Sequence, residues 1–413
     1  MPSTTGQPST KTLRLASARR RVRAFLDQIA SLEASDFPHV DGREALTLLK
    51  EEFRIRQLSL DRIPDSVSDA VVDQVCTDTS VFLSLYTDVL GFILRSTNVR
   101  NAFEVHFPLK RLIGRTLGAG TKLIMSSEWN FVPFTWPMNL PLLSEFVLVG
   151  GPAPESGNVL IIPLAGHEIG HSAWRQSAIA PKVRDRLLEA IDVAMEFNAE
   201  IRDRVLHDLD RVGHDVSWLK HACFESAIKQ LEETFCDMFA LYVFGPAFAF
   251  AFEYFLAPGS TFRSVTYPSS RGRVDYLLNG IETLGLKVEA GLYASWQDSA
   301  PRAGMPGDIL IFADEAVSKV FPIVRDLAFE TLRISNVPMC NTETIRRVRD
   351  ALERGVPDGL GATLAEIVTA GWLHLRSKGG LSRDSEQDEL VTLNELMLKS
   401  VEVSEFRLRV GHA

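Results

Sequence analysis

The sequence predicts an α+β protein that is predominantly α-helical and is organised around one metal-binding helix. Three observations carry this expectation. Residues 161–175, I-I-P-L-A-G-H-E-I-G-H-S-A-W-R, contain an H-E-x-x-H pentapeptide, with His167, Glu168 and His171. Apolar residues recur at helical spacing through most of 12–118, of 181–244 and of 309–410. Between 121 and 162 the pattern changes to short β-like runs divided by Pro, Gly and Ser: Lys122–Met125, Asn130–Phe134, Phe146–Val149 and Val159–Ile162.

The pentapeptide comes first because its spacing carries chemistry. Residues four apart on a helix lie one above the other, so both imidazoles reach one ion. Glu168 follows the first ligand directly and points beside the metal, where it can take a proton from water. Two His ligands with an adjacent carboxylate base are the layout of a zinc hydrolase. Pro163 suits the first turn of such a helix, where its missing N–H would have no partner anyway. Gly166 and Gly170 weaken a helix, so they serve something other than propensity; close packing near the metal is one use.

A zinc site needs a third protein ligand and an open position. The pattern H-E-x-x-H-x-x-G-x-x-H is excluded, since Trp174 and Ser177 stand where its Gly and third His belong. The other solution is a Glu from a second helix. Residues 218–244 form a strong helical segment containing Glu232, Glu233 and Asp237. Glu233 and Asp237 share a face among apolar Phe235, Met238, Phe239 and Leu241. Like charges at that spacing repel, and two carboxylates in such a helix ask for a cation. Glu233 is the expected third ligand, with Glu232 and Glu225 as alternatives. Asp237 is expected to orient a ligand His by accepting its other ring N–H. Cys236 reads as a core residue. His207, His214 and His221 read as surface residues; His221 is twelve residues before Glu233, about 18 Å along a helix.

These pieces together resemble gluzincin peptidases. Glu233-Thr234-Phe235-Cys236-Asp237 is similar to the E-x-x-(small)-D motif of the family that includes the CAAX prenyl proteases and the HtpX heat-shock proteases. Residues 267–274, Y-P-S-S-R-G-R-V, look like that family's H-P-x-x-x-x-R-(I/V), with Pro268, Arg273 and Val274 in register and Tyr267 in place of His. The resemblance covers about 160–280. It implies a zincin-like catalytic core with a small sheet ahead of the metal helix, and an oxyanion donor at Tyr267 or Arg273, with Arg271 behind them. Family members often carry membrane helices, and here the chain departs from them. Its longest apolar run, 239–257, is broken at Gly245-Pro246 and interrupted by Glu253, which predicts two core helices meeting at a turn and no membrane span.

The chain of 413 residues is long enough for two or three domains. Its 46% hydrophobic and 23% charged content are those of an ordinary globular protein. A net charge of −9 argues against a general nucleic-acid binder. The cysteines Cys76, Cys223, Cys236 and Cys340 show no C-x-x-C, which fits a reducing compartment; with no secretory signal visible, the expected location is cytoplasmic.

Taken in order, residues 1–11 are expected to be a disordered tail and 12–118 a helical N-terminal domain, with Val81, Phe82, Leu85, Val89 and Phe92 in its core. Its cluster Arg19-Arg20-Arg21 with Arg23 reads as a solvated helix face. Residues 119–290 are the expected metallopeptidase domain. Within it, 145–150 is the candidate edge strand for an extended substrate. Trp129, Trp136 and Pro137 read as core, with a substrate groove as the alternative. Residues 181–216 read as one long charged helix. Residues 291–413 are expected to be a helical region that packs on or gates the catalytic part.

The expected activity is that of a zinc-dependent metallopeptidase, an endopeptidase by resemblance, acting on a peptide or protein. His167, His171 and Glu233 hold one Zn²⁺, Glu168 is the general base, and Tyr267 or Arg273 stabilises the oxyanion. Tyr242 and Tyr254 are better explained as core. The alternative is a catalytically silent or latent zinc-binding regulatory protein.

Overall fold

The computed structural model of the chain describes residues 10–64, 66–97, 103–129, 134–135, 140–211, 213–260, 262–377 and 386–411. Most of the tail expected over 1–11 lies outside them, and Thr10 and Lys11 already belong to the first helix. The chain forms two compact units. One comprises Met1–Phe103, Lys122–Val132 and Trp136–Pro154; the other comprises Glu104–Thr121, Pro133–Thr135 and Glu155–Ala413. These lines differ from the sequence-read boundaries at 118/119 and 290/291.

The first unit packs α1 (Thr10–Glu33), α2 (Val40–Asp61) and α3 (Asp69–Arg95) together. In α1, Leu15, Ala18, Val22, Ile29 and Leu32 are buried, an amphipathic stripe at helical spacing. Phe53 of α2 is fully buried, with ring centroids 5.3 Å from Phe25 and 5.0 Å from Phe82. Val89 and Phe92 are in this core and Phe82 and Leu85 are half-buried, but Val81 is 64% exposed. The buried stripe of α3 runs through Leu83, Tyr86 and Leu90 instead, a phase shift that an apolar-rich helix hides from a sequence reading. The arginines of α1 behave as a solvated face: Arg20, Arg21 and Arg23 are exposed, and Arg19 donates to the Leu60 carbonyl at 2.7 Å.

Three strands follow in the chain: β1 (Lys122–Glu128), β2 (Phe134–Thr135) and β3 (Phe146–Pro152). Within the first unit, β1 pairs in parallel with β3, with Leu123 opposite Val147. Asp41 of α2 accepts the Leu123 N–H at 2.9 Å and so ties the sheet to the helices. Trp129 is 79% exposed, against the core reading. Trp136 and Pro137, like 130–133 of the second expected strand, lie outside the described residues.

The second unit contains α4 (His106–Leu117), α5 (Pro163–Gln176), α6 (Ile179–Phe197), α7 (Ala199–Asp210), α8 (Val216–Phe244), α9 (Pro246–Leu256), α10 (Ser270–Thr283), α11 (Met305–Ile334), α12 (Thr342–Glu353), α13 (Leu364–Ser377) and α14 (Glu386–Gly411). Helix α8 is the centre, contacted by α5, α6, α10, α11 and α13. Every residue from Glu233 to Phe244 is buried, so the helix is apolar nearly all round because it is covered nearly all round. The 239–257 run is two core helices, α8 and α9, that meet at Gly245-Pro246. Among the described residues, no helix is long and apolar enough to cross a membrane.

Two expectations are corrected here. Val159–Ile162 is not a strand: Val159–Ile161 form a 3-10 turn, and the Asn158 side chain accepts the Leu160 N–H at 3.1 Å to start it. The run is buried as expected, but a short apolar run does not distinguish strand from helix. Residues 181–216 are not one helix. Asn198, at φ −106° and ψ 47°, donates its amide to the Ala194 carbonyl at 2.9 Å and separates α6 from α7. The helical region 309–354 holds α11 and α12, divided at 335–341, where the Asn341 side chain caps α12.

The C-terminal helices fix the approach to α5. The Trp372 indole of α13 donates to the Leu160 carbonyl at 2.8 Å, and Asn394 of α14 accepts the Val159 N–H at 2.8 Å. Helix α5 then lies directly on α8 because its packing face is glycine. A Cβ on Gly170 would stand 2.8 Å from the Cys236 Cα, and one on Gly166 would stand 2.8 Å from the Phe244 ring. Gly170→Ala therefore has to push two helix backbones apart. We expect it to destabilise the protein by about 1–3 kcal/mol in denaturant unfolding. Gly157→Ala, which meets nothing within 4 Å, is the control and is expected to be neutral or slightly stabilising.

Candidate metal centre

The contact of α5 with α8 brings two imidazoles against four side chains of α8. His167 and His171 come from α5; Glu232, Glu233, Cys236 and Asp237 come from α8. His167 places Nδ1 2.8 Å from Asp237 Oδ1 and Nε2 3.2 Å from Glu233 Oε2. His171 places Nδ1 3.1 Å from Glu232 Oε1 and Nε2 3.7 Å from Glu233 Oε1. Each ring is thus held at Nδ1 by its own carboxylate, and both Nε2 atoms turn toward the same third carboxylate.

Asp237 is in turn clamped by Arg273 of α10, whose Nε lies 2.7 Å from Oδ2 and Nη2 2.8 Å from Oδ1. The same guanidinium stands 3.8 Å from Glu233 Oε2 and lies over the rings of Phe252, at 4.8 Å, and Tyr267, at 5.5 Å. Helix α10 comes close enough for this because Gly280 faces Met238 and Leu241 of α8; a Cβ there would be 2.6 Å from the Met238 sulfur.

The electrostatics follow from burial and charge. Burial alone would raise the Asp237 pKa, but Arg273 and the His167 hydrogen bond bring it down to about 2. Burial would lower His167, but Asp237 and Glu233 overrule it and raise its pKa to about 10. The charge of Glu233, followed by burial, pushes the Tyr267 phenol up to about 12, so it stays protonated at neutral pH. Cys236, fully buried and surrounded by carboxylates, is held well above the ordinary thiol range.

One atom is conspicuous in this arrangement. Glu233 Oε2 is buried, with His167 Nε2 at 3.2 Å and the Arg273 guanidinium at 3.8 Å facing it. An imidazole that donates Nδ1–H to Asp237 presents a lone pair at Nε2, and a lone pair facing a carboxylate oxygen requires a proton or a cation between them. The ligand atoms of His167, His171 and Cys236 lie within 4.8 Å of one another, a buried group that could hold a metal ion. Glu233 joins the same two rings through its carboxylate. The two groupings share both histidines. The pairwise distances bring Glu233 to both Nε2 atoms, whereas Cys236 sits on the side of Gly170.

The remaining candidates fall as follows. Glu168 is 6% exposed, on α5 beside His167. Tyr267 is 42% exposed, on the loop before α10. Arg271 is on the surface and pairs with Asp275 at 3.6 Å. Glu225 is exposed, as are His207, His214 and His221. Tyr242 is in the core against Phe329, and Tyr254 hydrogen-bonds Glu155 at 3.3 Å. Two features escaped the sequence reading. Glu232 is the partner of the His171 ring, and Cys236 faces the histidines. Adjacency to Glu233 was the available signal for Glu232, but the choice of ring partner depends on the rotation of α8 against α5.

A comparison with protein-family models, with curated proteins and with solved structures finds no match to this chain.

The depressed Asp237 pKa predicts an acid limb. The folded value, about 2, is below the ordinary 3.8, so the group's stabilisation is fully present above about pH 4 and is lost as pH falls toward 2. In chelator-treated protein, we expect unfolding free energies to fall more steeply over that window in the wild type than in Asp237→Asn. Equal slopes would show that the Arg273–Asp237–His167 chain is not formed.

Proposed function

We propose that this centre is that of a zinc-dependent metallopeptidase with a zincin-like core and the gluzincin ligand set His167, His171 and Glu233, as in the CAAX prenyl protease and HtpX family that the motifs resemble. The observation that carries the reading is the convergence of both Nε2 atoms on Glu233 while each Nδ1 is tied to a carboxylate. Carboxylate–histidine pairs of this kind fix the tautomer that a metal requires. A bound zinc ion would supply positive charge that acidifies water and polarises a carbonyl.

The chain's own residues then divide the work. Glu168 accepts the proton of the attacking water and passes it to the leaving amine. Tyr267, protonated at neutral pH, donates a hydrogen bond to the developing oxyanion. Arg273, the other oxyanion candidate, has Nε and Nη2 engaged with Asp237, so it acts as a positioning residue. Asp237 and Glu232 orient the two rings. A metal-binding protein without turnover is the rival reading, favoured by the nearby Cys236 sulfur, which would help to fill the open position that catalysis needs.

Elemental mass spectrometry of chelator-free protein is expected to count about one zinc per chain, with strong loss in Glu233→Gln. Glu232→Gln is expected to weaken zinc affinity by about 10–100-fold. Full zinc in Glu233→Gln would overturn the ligand assignment. On an unfolded protein or peptide substrate, Glu168→Gln is expected to retain zinc and lose turnover. Tyr267→Phe should lower kcat by about 10²–10³-fold with little change in KM. Wild-type protein that holds zinc yet cleaves nothing would favour the rival reading.

A further inference from the structure

Cys236 stands beside both histidines. It occupies the stripe of α8 that meets the glycine face of α5: Ala240 lies opposite Gly166, and Cys236 opposite Gly170. A Cβ built on Gly170 would stand 3.1 Å from the Cys236 sulfur, so the thiol points at the stretch of α5 between the two histidines. An alanine would satisfy that packing, as it does one turn later. The sulfur, one ring nitrogen of His167 and one of His171 all lie within 4.8 Å of one another. Glu233, 8% exposed, brings its carboxylate to the same two rings, 3.2 Å from His167 Nε2 and 3.7 Å from His171 Nε2.

We propose that Cys236 is a thiolate donor to the ion held by His167, His171 and Glu233, which makes the centre selective for thiophilic divalent ions such as zinc, cobalt and cadmium over magnesium, calcium or manganese. The inference rests on the metal-centre reading above and adds a fourth protein donor to it. On binding, the S–H bond breaks, a metal–sulfur bond forms and the proton leaves to solvent; nothing is oxidised or reduced. Two imidazoles, one carboxylate and one thiolate would make four protein donors, the number a closed zinc site uses. With all four engaged, no position would be left for water until the sulfur withdraws. Cys236 thereby holds the centre in a latent form.

Cobalt(II) substitution tests this without any substrate. The chelator-treated full chain is titrated with Co²⁺ and its absorption recorded in the visible range, which reports the ion's coordination, and in the near ultraviolet, where thiolate-to-cobalt charge transfer appears. The expected result is both sets of bands in the wild type, and visible bands alone in Cys236→Ser and Cys236→Ala. A second protein, Cys76→Ser/Cys223→Ala/Cys340→Ala, keeps Cys236 as its one cysteine and should retain the charge-transfer band; it decides the matter if the Cys236 variants fail to fold. Visible bands without charge transfer in the wild type would overturn the sulfur ligation and leave the His–His–Glu centre standing. Charge transfer that survives in Cys236→Ala would assign it to another cysteine and also overturn the proposal. No cobalt uptake at all would remove the metal centre itself.

Discussion

The structure around the two histidines depends on one constraint: ionisable groups enclosed between α5 and α8 have to balance their charge without water. Glu168, Glu233 and Asp237 are each less than a tenth exposed, with Glu232 half-buried beside them. Arg273, its side chain 14% exposed, stands with them and is engaged with Asp237. A buried carboxylate without a partner is too unfavourable to persist as a structural ornament. Arg273 and a proton on His167 supply positive charge among these carboxylates, which is the physical content of the raised His167 pKa, and Lys229 pairs with Glu232 at 3.2 Å. The buried group that includes both histidines could hold a metal ion.

The rest of the unit can be read as the means of imposing that constraint. Helix α8 is buried over its last twelve residues by neighbours on every side, which removes water from Glu233 and Asp237. The glycines of α5 remove the last distance between the helices. Helices α13 and α14 hold the turn before α5 through Trp372 and Asn394, so the height of α5 against α8 is set from outside the site. A donor set held this rigidly suits a centre whose ligands have to stand within a fraction of an ångström of their working positions.

These relations explain what was legible in the sequence. H-E-I-G-H is local: its spacing alone puts two rings on one helical face, and no tertiary information is needed. Glu233 and Asp237 were legible because a carboxylate pair is anomalous in so apolar a helix. The roles of Glu232, Cys236 and Arg273 were not legible in the same way. They depend on how α8 is turned against α5 and on how closely α10 approaches through Gly280, and both are set by packing between segments far apart in the chain. The same limit accounts for the errors of element type. Val159–Ile162 is buried as read, but burial does not choose between strand and 3-10 turn. The break at Asn198 goes with side-chain hydrogen bonds to the Ala194 carbonyl and to Glu315 inside a pattern that stays helical on both sides.

One candidate group stands apart from the helix-borne side chains. Tyr267 comes from the loop between α9 and α10, and its position is set by stitches rather than by helix packing. Arg263, itself 6% exposed, donates to the backbone carbonyls of Ser264 and Tyr267 and pairs with Asp314 of α11. Gln230 of α8 shares that aspartate at 3.0 Å, and Ser226 of α8 donates to the Val265 carbonyl at 2.6 Å. The phenol is thus tied through the backbone to the helix that carries Glu233, while its ring remains partly open to solvent. On the proposed hydrolase reading, metal donors on paired helices and an oxyanion donor on a tethered loop would divide two requirements. The ion would need fixed geometry, whereas the group that meets the substrate would need room for the substrate to arrive.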